Sequence, residues 1–156
     1  MGLKHLKKAP TLEDAIALAA QAHGGQLDKG GHPYILHPLR VMLRLTDEID
    51  RIVAVLHDVV EDTYVTMENL RKAGYSEEIL AALDSVTQRY GESWDDYLTR
   101  VEKNAIGLRV KLADIDDNMD LRRIAKPNRY DLERVEKYKV AVMRLRERLS
   151  CHMDGG

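Results

Sequence analysis

The hydrophobic positions along this chain recur with the spacing of amphipathic helices. The clearest pattern follows Asp47, where the apolar positions are Ile49, Ile52, Val53, Leu56, Val59 and Val60. Their period is near 3.6 residues rather than the period of 2 that a half-buried strand shows. Asp47 suits the N-cap of this segment. The pattern therefore predicts one helical run from about residue 48 to residue 60.

The remaining segments also favour helices with short connections. Thr11 can cap a helix that ends near Gly24, and Asp14 completes a capping-box-like start. Pro38 suits the first helical position, which makes His37 the N-cap of the next helix. Further helices are predicted over about 66–73, 76–89, 93–103, 105–125 and 128–149. No segment shows sustained strand alternation. The predicted fold class is all-α, a single helical bundle of about seven to eight helices over 1–156, with its core at about 11–149.

Composition and charge exclude several classes of protein. The chain has 156 residues, 44% of them hydrophobic, which suits one domain with a real core. The net charge of −2 comes from 24 basic and 26 acidic residues, mixed along the chain, so no basic field is predicted for a nucleic-acid backbone. No run approaches a membrane span, and the segment 1–8 is not followed by the apolar stretch of a signal peptide. With Cys151 as the single cysteine, we expect a soluble, cytoplasmic protein without disulfides, and neither nucleic acid nor membrane as a partner.

Candidate chemistry is concentrated where the apolar run after Asp47 ends. His57 and Asp58 are adjacent there, and Glu61 and Asp62 follow within one turn. Negative charge is disfavoured near a helix C-terminus, and burying an unpaired charge costs more still. A histidine alone at a helix end more often makes only a favourable dipole contact. The combination with three carboxylates instead favours a bound metal ion.

A second candidate group lies on the predicted helix 105–125. Lys111, Asp114 and Asn118 are spaced by three and four residues, so they share one face at the edge of the core. An ordinary helical ion pair explains Lys111 and Asp114 alone. Asn118 beside them, and His37 at a separate helix start, favour a binding site instead. Three other acidic residues of this helix are predicted to point toward solvent: Asp116, Asp117 and Asp120.

Four short segments in this order resemble a known family. They are AHGGQ at 22–26, PYILHP at 33–38, LHDVVEDT at 56–63, and KLAD at 111–114 followed by Asn118. The set is similar to that of the HD-domain metal-dependent phosphohydrolases, in particular the hydrolase domain of the Rel/Spo stringent-response enzymes and the small alarmone hydrolases. Those enzymes remove the 3′-pyrophosphate from guanosine tetra- or pentaphosphate (ppGpp or pppGpp) with a manganese ion. The resemblance covers about residues 12–125.

The resemblance implies a role for each matching residue. The implied metal ligands are His37, His57, Asp58 and Asp114. Glu61 and Asp62 are implied to position and activate the attacking water, and Asn118 to hold the ribose. The candidate phosphate contacts are Lys29, Lys111 and Arg89, while Tyr34 either lines the pocket or packs beside it. Two imidazoles and two carboxylates without a thiolate suit Mn²⁺ or Fe²⁺ better than a closed structural zinc site.

Two positions depart from the family pattern. Asp28 stands where the family has an arginine that packs on the guanine base, and Ile115 stands where it has a second arginine. A carboxylate offers no flat cationic surface and adds like charge near a polyphosphate, so the departures predict weaker binding of guanosine tetraphosphate.

The sequence thus predicts a metal-dependent phosphohydrolase that acts on a small phosphorylated nucleotide, with ppGpp as the leading substrate. One alternative is a nucleotidase or nucleotide pyrophosphohydrolase of different base preference. Another is a non-catalytic nucleotide-binding module that kept the metal. The pair Glu61 and Asp62 argues against the second alternative, because a module that only binds has no need of a water-activating carboxylate.

Overall fold

The computed structural model describes residues 8–155, so the N-terminal segment assessed above for a signal peptide lies almost wholly outside the described residues. Within that range the chain forms eight α-helices of seven residues or more, a single-turn helix α4 and one 3₁₀ turn. Their bounds are α1 Leu12–Ala22, α2 Leu36–Leu43, α3 Glu48–Leu56, α4 Val59–Asp62, α5 Met67–Ala73, α6 Glu77–Val86, α7 Trp94–Glu102, α8 Ala105–Asn118, the 3₁₀ turn Leu121–Arg123, and α9 Arg129–Asp154. The strand-like pairing recorded for these residues is one isolated bridge between Leu27 and Pro33. The all-α prediction is confirmed.

Local capping chemistry sets several helix starts. The Thr11 side chain accepts the Asp14 backbone N–H, and the Asp14 carboxylate accepts the N–H of Thr11, which completes the predicted capping box. The Asp47 carboxylate accepts the N–H groups of Ile49 and Asp50 at the start of α3. These side chains satisfy donors that would otherwise have no intrahelical partner.

Two predicted boundaries near the candidate chemistry are wrong. The helical run expected over 48–60 is broken, because α3 ends at Leu56, with His57 as its C-cap, and α4 begins at Val59. His37 is not an N-cap, because α2 already begins at Leu36. The reason is a turn before Pro38, in which the His37 N–H donates to the Tyr34 carbonyl at 3.0 Å.

The C-terminal helices also differ from their predicted lengths. Helix α6 ends at Val86, where Thr87 turns to an extended backbone. Helix α8 ends at Asn118 rather than near residue 125, and the 3₁₀ turn follows it. Helix α9 continues to Asp154, five residues beyond the predicted end. None of the described helices has the length and apolar character needed to cross a membrane.

Helix α3 lies at the centre of the bundle. The segment 53–56, whose four residues are all apolar, is fully buried. It packs against α1, α2, α6 and α8, and α8 in turn packs against α7 and α9. Asp50 on α3 accepts two hydrogen bonds from Arg109 on α8, at 2.6 and 2.8 Å. This pair, in which Asp50 is buried and Arg109 is partly exposed, links the helix that ends at His57 to the helix that carries Asp114.

Candidate metal centre

Three parts of the fold bring the predicted metal ligands together. His37 comes from the first turn of α2, His57 and Asp58 from the break between α3 and α4, and Asp114 from the middle of α8. In a continuous helix His57 and Asp58 would point about 100° apart. The break removes that constraint, and His57 Nε2 lies 3.0 Å from Asp58 Oδ2. At this break two adjacent residues thus face one point.

The four side chains converge on a small, buried space. His37 Nε2 lies 3.0 Å from Asp114 Oδ1 and 3.5 Å from Asp58 Oδ2. His57 Nε2 lies 3.3 Å from Asp114 Oδ1. His37, His57 and Asp114 are all buried, and Asp58 is nearly so. Two imidazole nitrogens and two carboxylate oxygens thus surround one position.

The hydrogen bonds of His57 favour a cation at this position. Its Nδ1 lies 2.5 Å from the carbonyl oxygen of Ala54, which can only accept, so Nδ1 carries the proton. The buried Nε2 then presents a lone pair and has no hydrogen-bond partner among the described residues. A lone pair that faces carboxylate oxygens is stabilised by a positive charge between them, which a proton or a metal ion can supply. His37, His57 and Asp58 accordingly form a group whose ligand atoms, within 4.8 Å of one another, could hold a divalent metal ion.

The pKa shifts within the cluster also favour a bound cation. Burial lowers the pKa of His57, but the carboxylates of Asp58 and Asp114 outweigh burial and raise that pKa well above its ordinary value. Burial raises the pKa of Asp58, but the charge of His57, its hydrogen bond to Asp58 and the charge of His37 together outweigh burial and hold that pKa low. The cluster therefore attracts positive charge strongly, and a metal ion would supply it.

Asp114 serves two partners with its two oxygens. Oδ2 pairs with Lys111 Nζ at 2.7 Å, while Oδ1 faces the imidazoles and accepts from Asn118 Nδ2 at 2.8 Å. The ordinary ion pair considered above is thus present, but it uses only one oxygen. Lys111 Nζ also lies over the rings of Trp94 and Tyr97, at 5.7 and 5.3 Å from their centroids. Lys111 therefore holds Asp114 in place from a nearly buried position.

The two carboxylates predicted to act on water lie beside the cluster. Asp58, Glu61 and Asp62 form a second group that could hold a cation. Glu61 accepts the backbone N–H of Gln88, in the connection between α6 and α7, and this bond fixes its position. Burial and the nearby charge of Asp58 raise the pKa of Glu61, against the effect of the Gln88 bond, and they also raise the pKa of Asp62.

Two cavities meet at the cluster, and Tyr34, His37 and Asn118 line both. The smaller, about 200 Å³, also contains Glu61 and Lys111 in its wall. The larger has a volume of about 290 Å³. Its walls carry four cationic side chains, Lys29, Arg40, Arg123 and Arg134. The Tyr34 hydroxyl donates to Asp58 Oδ2 at 2.5 Å, so Tyr34 reaches the cluster itself as well as lining the cavities.

One predicted phosphate contact lies elsewhere, and Asp28 has a structural role. Arg89 pairs with Asp84 at 3.1 Å on the surface and is absent from the walls of both cavities. Asp28 lines the larger cavity, but its Oδ1 accepts the N–H groups of Gly30 and His32, at 2.8 and 2.9 Å. The carboxylate that replaces a family arginine therefore closes a turn of the loop.

The position of Asp117 differs from the prediction. It was predicted to point toward solvent, yet its side chain is fully buried, and Oδ2 lies 2.7 Å from His37 Nδ1. Helix α2 packs over this face of α8, which an inspection of α8 alone does not reveal. Two arginines one turn apart after His37, Arg40 and Arg44, were the available signal, because both approach Asp117.

Comparison with known proteins gives relatives by sequence and by fold, although no family model matches the chain. It is 35% identical over 127 residues to a GTP pyrophosphokinase of Myxococcus xanthus, which covers 69% of this chain and 16% of that protein. It is 44% identical over 78 residues to a guanosine-3′,5′-bis(diphosphate) 3′-pyrophosphohydrolase of Borreliella burgdorferi, covering 47% of this chain and 12% of the relative. For the protein of the same name from Aquifex aeolicus the identity is 33% over 121 residues, with 72% and 17% covered.

A solved structure extends the likeness to the whole fold. A metazoan orthologue of SpoT, described as hydrolysing ppGpp, superimposes with a TM-score of 0.71 at 24% identity, covering 96% of this chain and 88% of that one. This chain thus shares the helical fold of that protein. In sequence the chain is related to the Rel/Spo enzymes, which confirms the predicted resemblance. It spans between 12% and 17% of the length of the three curated relatives named above.

Proposed function

We propose that this chain is a metal-dependent phosphohydrolase that removes the 3′-pyrophosphate of a guanosine polyphosphate such as ppGpp. The observation that carries the proposal is the convergence of His37, His57, Asp58 and Asp114 on one buried position beside two cavities. The names of the relatives from Borreliella burgdorferi and Aquifex aeolicus support the choice of reaction.

The proposed cofactor is Mn²⁺, held by those four side chains. A mixed set of two imidazoles and two carboxylates suits this ion, with further positions open. When bound, a divalent ion polarises a phosphoryl oxygen and lowers the pKa of water at the site. Asn118 and Lys111 keep Asp114 oriented toward the ion through their contacts with its two oxygens.

Glu61 is proposed as the group that orients water and accepts its proton. Its carboxylate lines the smaller cavity beside Asp58, and the Gln88 N–H holds it there. Water forms a new bond to phosphorus, and the bond between that phosphorus and the ribose 3′ oxygen breaks. The 3′ oxygen takes up a proton, so ppGpp and water give guanosine diphosphate and pyrophosphate. Asp62, the next residue, is proposed to assist Glu61 in orienting the water, because both carboxylates lie in the same group with Asp58.

The larger cavity is proposed to hold the nucleoside and its 5′-phosphates. Lys29 lines it and is held by Asp131 at 2.9 Å, while Arg123 and Arg134 line it from the segment after α8 and from α9. These side chains supply positive charge that Asp28 and Ile115 do not. Asn118 lines both cavities, which suits the proposed contact with the ribose between base and reacting phosphate.

A panel of phosphorylated nucleotides tests this function. The manganese-loaded protein is incubated with guanosine and adenosine nucleotides that carry a 3′-pyrophosphate, a 3′-phosphate or only 5′-phosphates, and phosphate and pyrophosphate are assayed separately. We expect pyrophosphate release from the 3′-pyrophosphate substrates. Phosphate release from nucleoside monophosphates alone would instead identify a nucleotidase.

Asp28 gives a separate prediction about substrate binding. Asp28→Asn keeps the oxygen that accepts from Gly30 and His32 but removes a negative charge from the cavity wall. We expect the KM for ppGpp to fall by up to about fivefold, the scale of a partly screened charge interaction worth about 1 kcal/mol. Asp28→Arg is the comparison, since it adds positive charge but removes both turn-closing bonds. A KM for ppGpp that does not change in Asp28→Asn would show that this charge does not act on the substrate.

A further inference from the structure

We propose that Asp117 is a positioning residue of the metal centre, whose buried carboxylate fixes the tautomer and ring orientation of His37. The proposal rests on the metal site of the proposed function but not on its substrate. Asp117 lies one helical turn beyond Asp114 on α8, so a single helix would carry both a ligand and the support of another ligand.

The contact between Asp117 and His37 has the geometry of an orienting hydrogen bond. Asp117 Oδ2 lies 2.7 Å from His37 Nδ1, and His37 Nε2 is the atom that lies 3.0 Å from Asp114 Oδ1. The two ring nitrogens therefore have separate partners on opposite sides of the ring. A bond to Nδ1 leaves Nε2 free to present its lone pair to an ion.

Three guanidinium groups keep Asp117 ionised despite its complete burial. Arg40 donates from Nε at 2.9 Å to Oδ1 and from Nη2 at 3.1 Å to Oδ2. Arg123 Nη2 lies 3.4 Å from Oδ2, and Arg44 Nη2 lies 3.6 Å from Oδ1. Burying a carboxylate is costly unless it is paired, so this convergence meets the cost. An ionised carboxylate can only accept, and the proton of His37 must therefore be on Nδ1.

His57 and His37 differ in the group that accepts the hydrogen bond from Nδ1. His57 donates from Nδ1 to the backbone carbonyl of Ala54, a neutral acceptor, whereas His37 faces the charged Asp117. A carboxylate behind a ligating histidine raises the basicity of the ligand and restricts the ring. We therefore expect Asp117 to increase the metal affinity although it is not itself a ligand.

Metal affinity of Asp117→Asn tests this role directly. The variant keeps the size of the side chain and removes its charge, and Mn²⁺ affinity is measured by competition with a chelator, without substrate. We expect binding about 10- to 100-fold weaker than in the wild type. Asp116→Asn is the matched control, an adjacent acidic residue on the face of α8 away from the cluster, and it should bind Mn²⁺ as the wild type does.

Nuclear magnetic resonance of ¹⁵N-histidine-labelled protein shows which ring nitrogen of each histidine carries the proton. A role of Asp117 in folding alone would not change this for His37. In the Zn²⁺-loaded wild type, we expect the His37 proton on Nδ1 and the metal on Nε2. In Asp117→Asn the His37 signals should shift or broaden while those of His57 stay in place. A wild-type His37 protonated on Nε2 would overturn the proposal even if Asp117→Asn failed to fold. Unchanged Mn²⁺ affinity in a folded Asp117→Asn would overturn it too.

Discussion

His57→Ala is expected to abolish stoichiometric binding of divalent metal, whereas the wild type should retain about one equivalent of Mn²⁺. His57 is almost completely buried at the break between α3 and α4, and its Nε2 lies close to Asp58 and Asp114. Without the imidazole, the ion loses one of four proposed ligands, and the two carboxylates lose a partner that orders them. Elemental analysis after gel filtration measures the loss.

Thermal unfolding measures how much metal binding stabilises the protein. An ion that binds only the native state, present at 100 times its Kd, stabilises that state by about 2.7 kcal/mol. A chelator should therefore lower the Tm of the wild type and leave the Tm of His57→Ala unchanged. His152→Ala serves as the control. His152 is an exposed residue of α9 that contacts the Glu102 carbonyl, and neither residue belongs to the cluster. Equal metal content in the wild type and His57→Ala would remove His57 from the ligand set.

Glu61→Gln is expected to keep the metal and to lower kcat by about 10²–10⁴-fold, the usual scale of general acid–base assistance. Glutamine has the size of glutamate and can still accept the Gln88 N–H, so the loop between α6 and α7 should stay in place. It cannot take a proton from water. The rate of pyrophosphate release and the Mn²⁺ content, measured on the same sample, separate catalysis from ligation.

Glu68→Gln is a matched control for Glu61→Gln. Glu68 lies on α5 and pairs with Arg71 at 3.2 Å, so the same chemical change there should leave turnover unaffected. If Glu61→Gln retained the wild-type kcat at full metal occupancy, Glu61 would have no part in proton transfer. A loss of both metal and activity would instead make Glu61 a ligand.

The parts of the fold that depend on neighbours in sequence could be predicted from sequence. Helix starts at Thr11 and Asp47 rest on side chains that bond to backbone groups two or three residues away. The burial of the second half of α3 follows from its unbroken apolar run at 52–56. His37, His57, Asp58 and Asp114 were identified by residue type and by family resemblance, and the structure brings all four together.

Features that depend on distant contacts could not be predicted. The apolar period continues through Val59 and Val60, so it gives no sign that the helix breaks before them. The break is accompanied by long-range support, since the Tyr34 hydroxyl bonds to Asp58. Asp117 was misplaced for a similar reason. A helical wheel counts apolar neighbours on one helix, whereas the partners that bury Asp117 come from α2 and from the segment after α8.

We propose that this chain hydrolyses the 3′-pyrophosphate of a guanosine polyphosphate with a metal held by His37, His57, Asp58 and Asp114. The most direct test follows ppGpp by ³¹P nuclear magnetic resonance, with protein that is either manganese-loaded or stripped by chelator. We expect guanosine diphosphate and free pyrophosphate from the loaded protein, and intact ppGpp from the stripped one. Intact ppGpp with fully loaded, folded protein would contradict the proposed function, as would equal hydrolysis by loaded and stripped protein.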